Sequence, residues 1–143
     1  DYAHTPDALE NVLKTLREIA PDRELICVFG CGGDRDRTKR PEMGKIAQKM
    51  ADRIIVTADN SRTEKTTDIM ADIKEGMDIS GKAKSLFIED REQAIRTALM
   101  LANQGATILL AGKGHETYQI TGTEKRHFDE KEIVAEAFKN IEQ

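Results

Sequence analysis

Four segments concentrate the residue types that could hold a small charged ligand: GCGGDRDRTKRP at 30–41, ADNSRTE at 58–64, EDRE at 89–92 and GKGHE at 112–116. In the first, Gly30, Gly32 and Gly33 let backbone approach a ligand closely, and Arg35, Arg37 and Arg40 offer a planar fork for carboxylate or phosphate. Asp59, Asn60, Ser61 and Arg62 place an acceptor, an amide, a hydroxyl and a guanidinium in consecutive positions. Such a set suits a zwitterion, its carboxylate facing arginine and its ammonium facing Asp59 or Glu116. Each loop also has a plain alternative. The first reads equally as a solvated charged turn, and the second as a helix entry capped by Asp or Ser.

Several familiar chemistries fail on spacing. Gly30 and Gly32 begin a dinucleotide fingerprint, but Arg35 stands where its third glycine belongs, although Asp59 could still meet a ribose. AGKGHE lacks the spacing and the Ser or Thr of a triphosphate-binding P-loop. His115 has no Ser or Cys nucleophile elbow beside it. Cys27 lies within an apolar run and Cys31 four residues on, while His4, His115 and His127 are scattered without metal-site spacing. Both cysteines read as structural or incidental.

The elements that must position these loops follow from hydrophobic periodicity. A helix opens at Pro6, carries Leu9, Val12, Leu13, Leu16 and Ile19 on one face, and stops before Pro21. Leu25–Phe29 is a continuous apolar run, as in a strand covered on both faces. Pro41 opens a second helix bearing Met43, Ile46, Ala47 and Met50. A strand over 53–57, a helix with Ile69, Met70, Ile73 and Met77, a strand over 85–88, a helix over 91–103 and a strand over 106–111 follow. Residues 118–128 read as a hairpin across TGTE, and Asp129 with Glu132 as a capping box for a last helix. PDRE, ADR, ISGKAK and NQGA read as ordinary turns. The pattern predicts one α/β domain over 1–143: a Rossmann-like, mostly parallel, doubly wound sheet with a C-terminal hairpin or antiparallel edge strand. In such sheets ligands bind at the carboxyl ends of the strands, and the unusual loops all fall at that end.

Composition narrows the function. The 143 residues carry a net charge of −4, which speaks against a nucleic-acid partner held through phosphates. No apolar stretch approaches the roughly 20 residues of a membrane span, and no leader opens the chain, so no membrane partner and no export are expected. The chain begins at Asp1 in a loop, as if excised from a longer protein.

Taken in order, DYAHTP at 1–6, GCGGDRDRTKRP, DNSR and AGKGHE with Tyr118 and Gln119 resemble the C-terminal domain of the tripeptide-synthetase branch of the Mur ligases. The resemblance covers the whole chain. It implies a cytoplasmic, ATP-dependent ligase of peptidoglycan synthesis that joins the D-glutamate of UDP-MurNAc-L-Ala-D-Glu to the amine of meso-diaminopimelate. ATP and Mg2+ activate the carboxylate as an acyl phosphate and are bound mainly by a central domain with no counterpart here, so the fragment alone should be inactive. On this resemblance Arg35, Asp59, Asn60, Ser61, Arg62, Gly112 and Glu116 contact the amino acid, and Asp1 and His4 border the nucleotide. Diaminopimelate-adding members usually carry DNPR, where Ser61 here replaces proline. A lysine-adding member and a Rossmann-like nucleotide-binding module without ligase activity remain the alternatives.

Overall fold

In the computed structural model, which describes residues 3–142, helices and strands alternate along most of the chain. Helix α1 (Pro6–Ile19) is capped by Thr5, whose side chain accepts from Ala8 N–H, and Pro6 occupies its first turn. Strands β1 (Leu25–Phe29), β2 (Arg53–Val56), β3 (Ser85–Phe87) and β4 (Thr107–Leu110) form one parallel sheet in the order β3-β2-β1-β4. Cys27 pairs with Ile54 on one side and Leu109 on the other, so β1 is central and all five of its residues are buried.

Side-chain alternation along the strands divides the core. Leu25, Cys27, Phe29, Ile54 and Val56 face α1, α2 (Lys39–Met50) and α3 (Thr66–Lys74), meeting Leu9, Leu13, Met43, Ala47, Ile69 and Ile73. Ile26, Val28 and Ile55 point the other way, onto Ala94 and Ala98 of α5 (Arg91–Leu101). Helix α6 (Glu130–Glu142) packs on α5 through Ile95, Phe128 and Ile133. Strands β5 (Tyr118–Thr121) and β6 (Glu124–His127) make a separate antiparallel hairpin, the C-terminal ribbon expected from TGTE. The sheet is thus Rossmann-like and covered on both faces.

Four details differ from the periodicity reading. Helix α2 begins at Lys39, before Pro41, which is tolerated in a first turn because its missing N–H has no helical partner there. ISGKAK is not a turn: α4 (Ile79–Ala83) forms there, capped by Asp78, whose carboxylate accepts from Gly81 N–H. Its five residues include Ile79, which is exposed, so no apolar stripe announces it. Met77 is buried but lies past the end of α3. At α6, Asp129 does accept from Lys131 N–H at 3.0 Å, yet Glu132 reaches His127 at 2.9 Å, so half of the expected capping box is replaced by an ion pair.

One buried cation ties the carboxyl edge of the sheet together. Arg91, at the start of α5 and fully buried, donates from Nη1 to Ala58 O (2.8 Å), from Nη2 to Ala111 O (3.0 Å) and from Nε to Glu130 Oε2 (2.8 Å). Those carbonyls lie just beyond β2 and β4, immediately before Asp59 and Gly112. Removing one partner of a buried pair leaves an uncompensated charge, which costs about 3–5 kcal/mol. We expect Glu130→Ala to lower the unfolding free energy by that amount in denaturant titration. A change below about 1 kcal/mol would mean that the two carbonyls alone satisfy Arg91.

Candidate functional site

The strand order reverses direction between β1 and β4, and a ligand crevice is expected at such a switch point. A cleft of about 310 Å³ opens there, walled by His4, Gly32, Arg35, Asp59, Asn60, Arg62, Glu116 and Tyr118, with Cys31 and Met43 among its deeper residues. A larger hollow of about 420 Å³ lies over β2 and β3 beside Ala98 and Leu101. Its charged groups already have partners: Arg53 holds Glu24 at 2.9 Å, Asp52 holds Arg17 at 3.0 Å, and Lys84 holds Ala51 O at 2.7 Å. With its polar groups occupied, that hollow is the weaker candidate.

The cleft is assembled by loops docking on one another. Gly33 N–H donates to Asn60 O at 2.8 Å, and a Cβ at position 33 would fall 1.7 Å from Ser61 O. Only glycine permits that approach. Asp34, at φ 56°, accepts from Thr63 Oγ1 (2.6 Å) and Thr63 N–H (3.2 Å), while its own N–H donates to Glu64 Oε1 (2.8 Å). Beneath them the buried Arg40 spans both loops, donating to Gly32 O (3.0 Å), to both Glu64 oxygens (2.8 and 2.9 Å) and to Asp72 Oδ2 (2.9 Å). Those bonds hold the Glu64 carboxyl down to about 2, the Arg40 guanidinium first and the Asp34 N–H second.

The tetrad at 59–62 is fastened to the hairpin. Asn60 Oδ1 accepts from Ile120 N–H at 2.9 Å, Arg62 N–H donates to Ile120 O at 3.2 Å, and Arg62 O accepts from Gly122 N–H. Arg62 therefore sits at φ 53°, a left-handed conformation unusual for a residue with a side chain. Gly112 has φ +112°, and a Cβ there would crowd Asp59 Oδ2 at 3.0 Å.

The expected residues fall into two groups. Arg35, Asp59, Asn60, Arg62 and Glu116 converge on the cleft, and His4 joins them with Nδ1 4.0 Å from Asp59 Oδ2. Gly112 is buried behind Asp59 and shapes the wall. Ser61 does not face the cleft: it is buried, and its hydroxyl shares a 2.6 Å hydrogen bond with Thr66. Asp1 lies outside the described residues. Lys113, Tyr118 and Arg40 belong to the site or its frame without having been singled out. A lysine flanked by glycines looks solvent-bound in a sequence, yet Lys113 is fully buried.

Two charge patterns stand out. Arg35 donates to the carbonyl of Asp34 (3.0 Å) and Arg62 to those of Gly33 (3.1 Å) and Asn60 (3.3 Å). Among the described residues neither guanidinium has a carboxylate partner. Conversely, Asp59 Oδ1 and Glu116 Oε1 accept no hydrogen bond and share the single ammonium of Lys113, at 3.4 and 3.8 Å. A site with guanidiniums lacking carboxylate partners and two carboxylates sharing one cation is the complement of a zwitterion. Nucleophilic chemistry is disfavoured, since burial pushes both the Cys27 and Cys31 thiols up to about 12. The described residues contain no cluster of His, Cys, Asp and Glu able to hold a metal ion, and no helix among them is long and apolar enough to cross a membrane.

The family model described as "Mur ligase, glutamate ligase domain" matches residues 1–114. A UDP-N-acetylmuramoyl-L-alanyl-D-glutamate–2,6-diaminopimelate ligase of Trichormus variabilis is 60% identical over 132 residues, covering 92% of this chain and 26% of that protein. The ligase of the same name from Synechocystis sp. is 57% identical over 137 residues, 96% of this chain and 26% of its own length. A solved structure of a ligase of that name superposes with a TM-score of 0.93 at 45% identity, across 100% of this chain and 29% of the other. The chain therefore spans about a quarter of the length of the curated relatives it matches.

The Arg40–Glu64 contact yields a pH prediction. A carboxyl held at about 2 when folded, against its ordinary value of 4.5, stabilises the fold fully above pH 4.5 and loses that contribution as pH falls towards 2. We expect Glu64→Gln to be less stable than the parent at pH 7, and the gap to close across that acid window in thermal melts. Parallel curves for parent and variant from pH 7 to 2 would contradict the assignment.

Proposed function

This chain belongs to the Mur ligase family as its glutamate ligase domain, and we propose that it is the C-terminal, amino-acid-binding part of a longer cytoplasmic enzyme. On this reading the whole enzyme adds meso-diaminopimelate to UDP-MurNAc-L-Ala-D-Glu, the activity carried in the names of the relatives. The observation that carries it is the cleft's charge complement: Arg35 and Arg62 without carboxylate partners, beside Asp59 and Glu116, which share the one cation of Lys113. Diaminopimelate brings two carboxylates for the two guanidiniums and a distal ammonium for the two carboxylates, and leaves its second amine free to react.

ATP activates the acceptor carboxylate in the proposed reaction. Its Mg2+ and most of its contacts are assigned to the part of the enzyme outside this chain. What this chain supplies is grip and orientation. A substrate held at its distal end by Arg62 and Glu116 presents its other amine outward, toward the nucleotide-bearing part. To His4, half exposed at the rim, we assign the border of that nucleotide, as the resemblance implies. Fixing the amine in this way replaces a chance encounter by a held geometry, one of the larger contributions an enzyme can make.

Retention of Arg62 supports diaminopimelate over lysine. Lysine has a distal ammonium and no distal carboxylate, so it would leave the guanidinium unpaired and set two cations near one another. Ser61, standing where relatives that add diaminopimelate usually have proline, is tied to Thr66 away from the ligand, so the replacement leaves the charged groups in place.

In the full-length enzyme, Arg62→Ala should cost about 2–4 kcal/mol of substrate binding, or roughly 30- to 1000-fold, mainly as a raised KM for diaminopimelate. Lysine should be used no worse by the variant than by the parent, and Arg62→Lys should restore only part of the loss because a point charge lacks the planar fork. Steady-state kinetics with both amino acids decides it. A parent that prefers lysine, or a variant with unchanged diaminopimelate kinetics, would refute the assignment.

A further inference from the structure

We propose that Lys113 is the positioning residue that makes this cleft an ammonium receptor, a role that rests on reading the cleft as an amino-acid site. Its Nζ donates to Asn60 Oδ1 at 3.1 Å and to Tyr118 O at 2.9 Å, and lies 3.4 Å from Asp59 Oδ1 and 3.8 Å from Glu116 Oε1. The rings of Tyr118 and Phe128 stand 5.9 and 5.7 Å from it. The side chain has no solvent exposure. A single ammonium thus touches the tetrad loop, its own loop and the hairpin.

Such a buried charge is costly unless it does something for its neighbours. Here it lies between two carboxylates that would otherwise face each other. Without a cation between them, repulsion would drive one to take up a proton, and a protonated carboxyl is a poor partner for an ammonium. With Lys113 in place the two carboxylates share one cation, so a second cation is accommodated beside them. Asp59 Oδ1 and Glu116 Oε1, the buried oxygens turned to Lys113, accept no hydrogen bond, so each is compensated only by its share of that one ammonium. A substrate ammonium entering the cleft completes the balance. Burial pulls the lysine towards its neutral form, with the field of Arg91 adding to the effect, and the two carboxylates oppose this.

The other charged groups nearby are already engaged or lie at the rim. Arg91, from α5, is held by Glu130 of α6. His4, from the segment before α1, stands 4.0 Å from the outer oxygen of Asp59. Arg126, on β6, donates to Gln119 Oε1 at 2.6 Å, and Lys125 lies over the Tyr118 ring at 4.0 Å. Arg35 and Arg62 line the same cleft but donate to the carbonyls of Asp34, Gly33 and Asn60, and none of these groups pairs with both carboxylates as Lys113 does.

Full-length enzyme carrying Lys113→Met tests the role. Between pH 5.5 and 8.5 the parent's KM for diaminopimelate should be nearly flat. In the variant it should be raised roughly 30-fold or more near pH 6 and fall as pH rises, because deprotonation restores the second anion. Adding Glu116→Gln to Lys113→Met should abolish that slope while leaving KM high. A variant KM that matches the parent, or is raised with no pH slope, would overturn the proposal and leave Lys113 a structural residue. A substrate arm keeps the test decisive should the variant not fold. The parent should disfavour 2-aminopimelate, which lacks only the distal ammonium, by roughly 30-fold against diaminopimelate, and Glu116→Gln should narrow that gap. Equal use of the two substrates by the parent would sink the ammonium-receptor role while leaving the carboxylate half of the amino-acid reading, carried by Arg35 and Arg62, in place. Failure to use diaminopimelate at all would sink the amino-acid reading beneath it.

Discussion

Arg91 joins the ends of two strands that are not neighbours in the sheet. β2 and β4 flank β1, and the guanidinium reaches across from Ala58 O to Ala111 O while its third arm is held by Glu130. Both functional loops hang from those two points. Asp59 follows Ala58, and Gly112 follows Ala111, so the separation between the tetrad and the glycine-lysine loop is set by the span of one planar group. The contact between Gly112 and Asp59, and then the placing of Lys113 against both carboxylates, need that separation to be held. Hydrogen bonds to charged groups are worth more than neutral ones, and this one cation makes three of them in a dry site.

The cations of the molecule divide by what satisfies them. Arg40 and Arg91 meet carboxylates and carbonyls at 2.8–3.0 Å and hold loops together. Arg35 and Arg62 have only backbone carbonyls, and they face the cleft. Lys113 is intermediate, neutralised by two carboxylates that themselves line the cleft. Burial and partner type therefore separate scaffold from recognition where residue type cannot, since four of the five are arginines. The backbone tells the same story: Arg62 adopts its left-handed conformation because the hairpin takes its N–H and its carbonyl, and strain of this kind tends to persist where surrounding structure enforces it for function.

Much of this was legible in the residues. The continuous apolar run of β1, the alternation of helix and strand periods, and the hairpin across TGTE placed the elements, since a doubly covered parallel sheet leaves few choices for such a pattern. Once the strands were placed, the ligand edge followed, and with it Arg35, Asp59, Asn60, Arg62 and Glu116. Other features depend on tertiary packing that no local pattern encodes. Arg40 and Arg91 look like ordinary helix-entry charges until the loops that bury them are in place. Lys113 reads as an exposed loop lysine until the hairpin folds over it, and Ser61 as a ligand contact until Thr66 takes its hydroxyl. Helix α4 was invisible because five residues with an exposed Ile79 carry no helical stripe.

Whether the free-facing guanidiniums and the two carboxylates that share Lys113 form one zwitterion site is tested most directly by a crystal structure of the full-length enzyme with meso-diaminopimelate. The account predicts the amino acid in the cleft between β1 and β4, its distal carboxylate within hydrogen-bonding distance of Arg62 and its distal ammonium against Glu116 and Asp59, with Lys113 still buried beneath them. Diaminopimelate bound elsewhere, or bound in the cleft with Arg62 still turned to the carbonyls of Gly33 and Asn60 and no carboxylate beside it, would contradict the account.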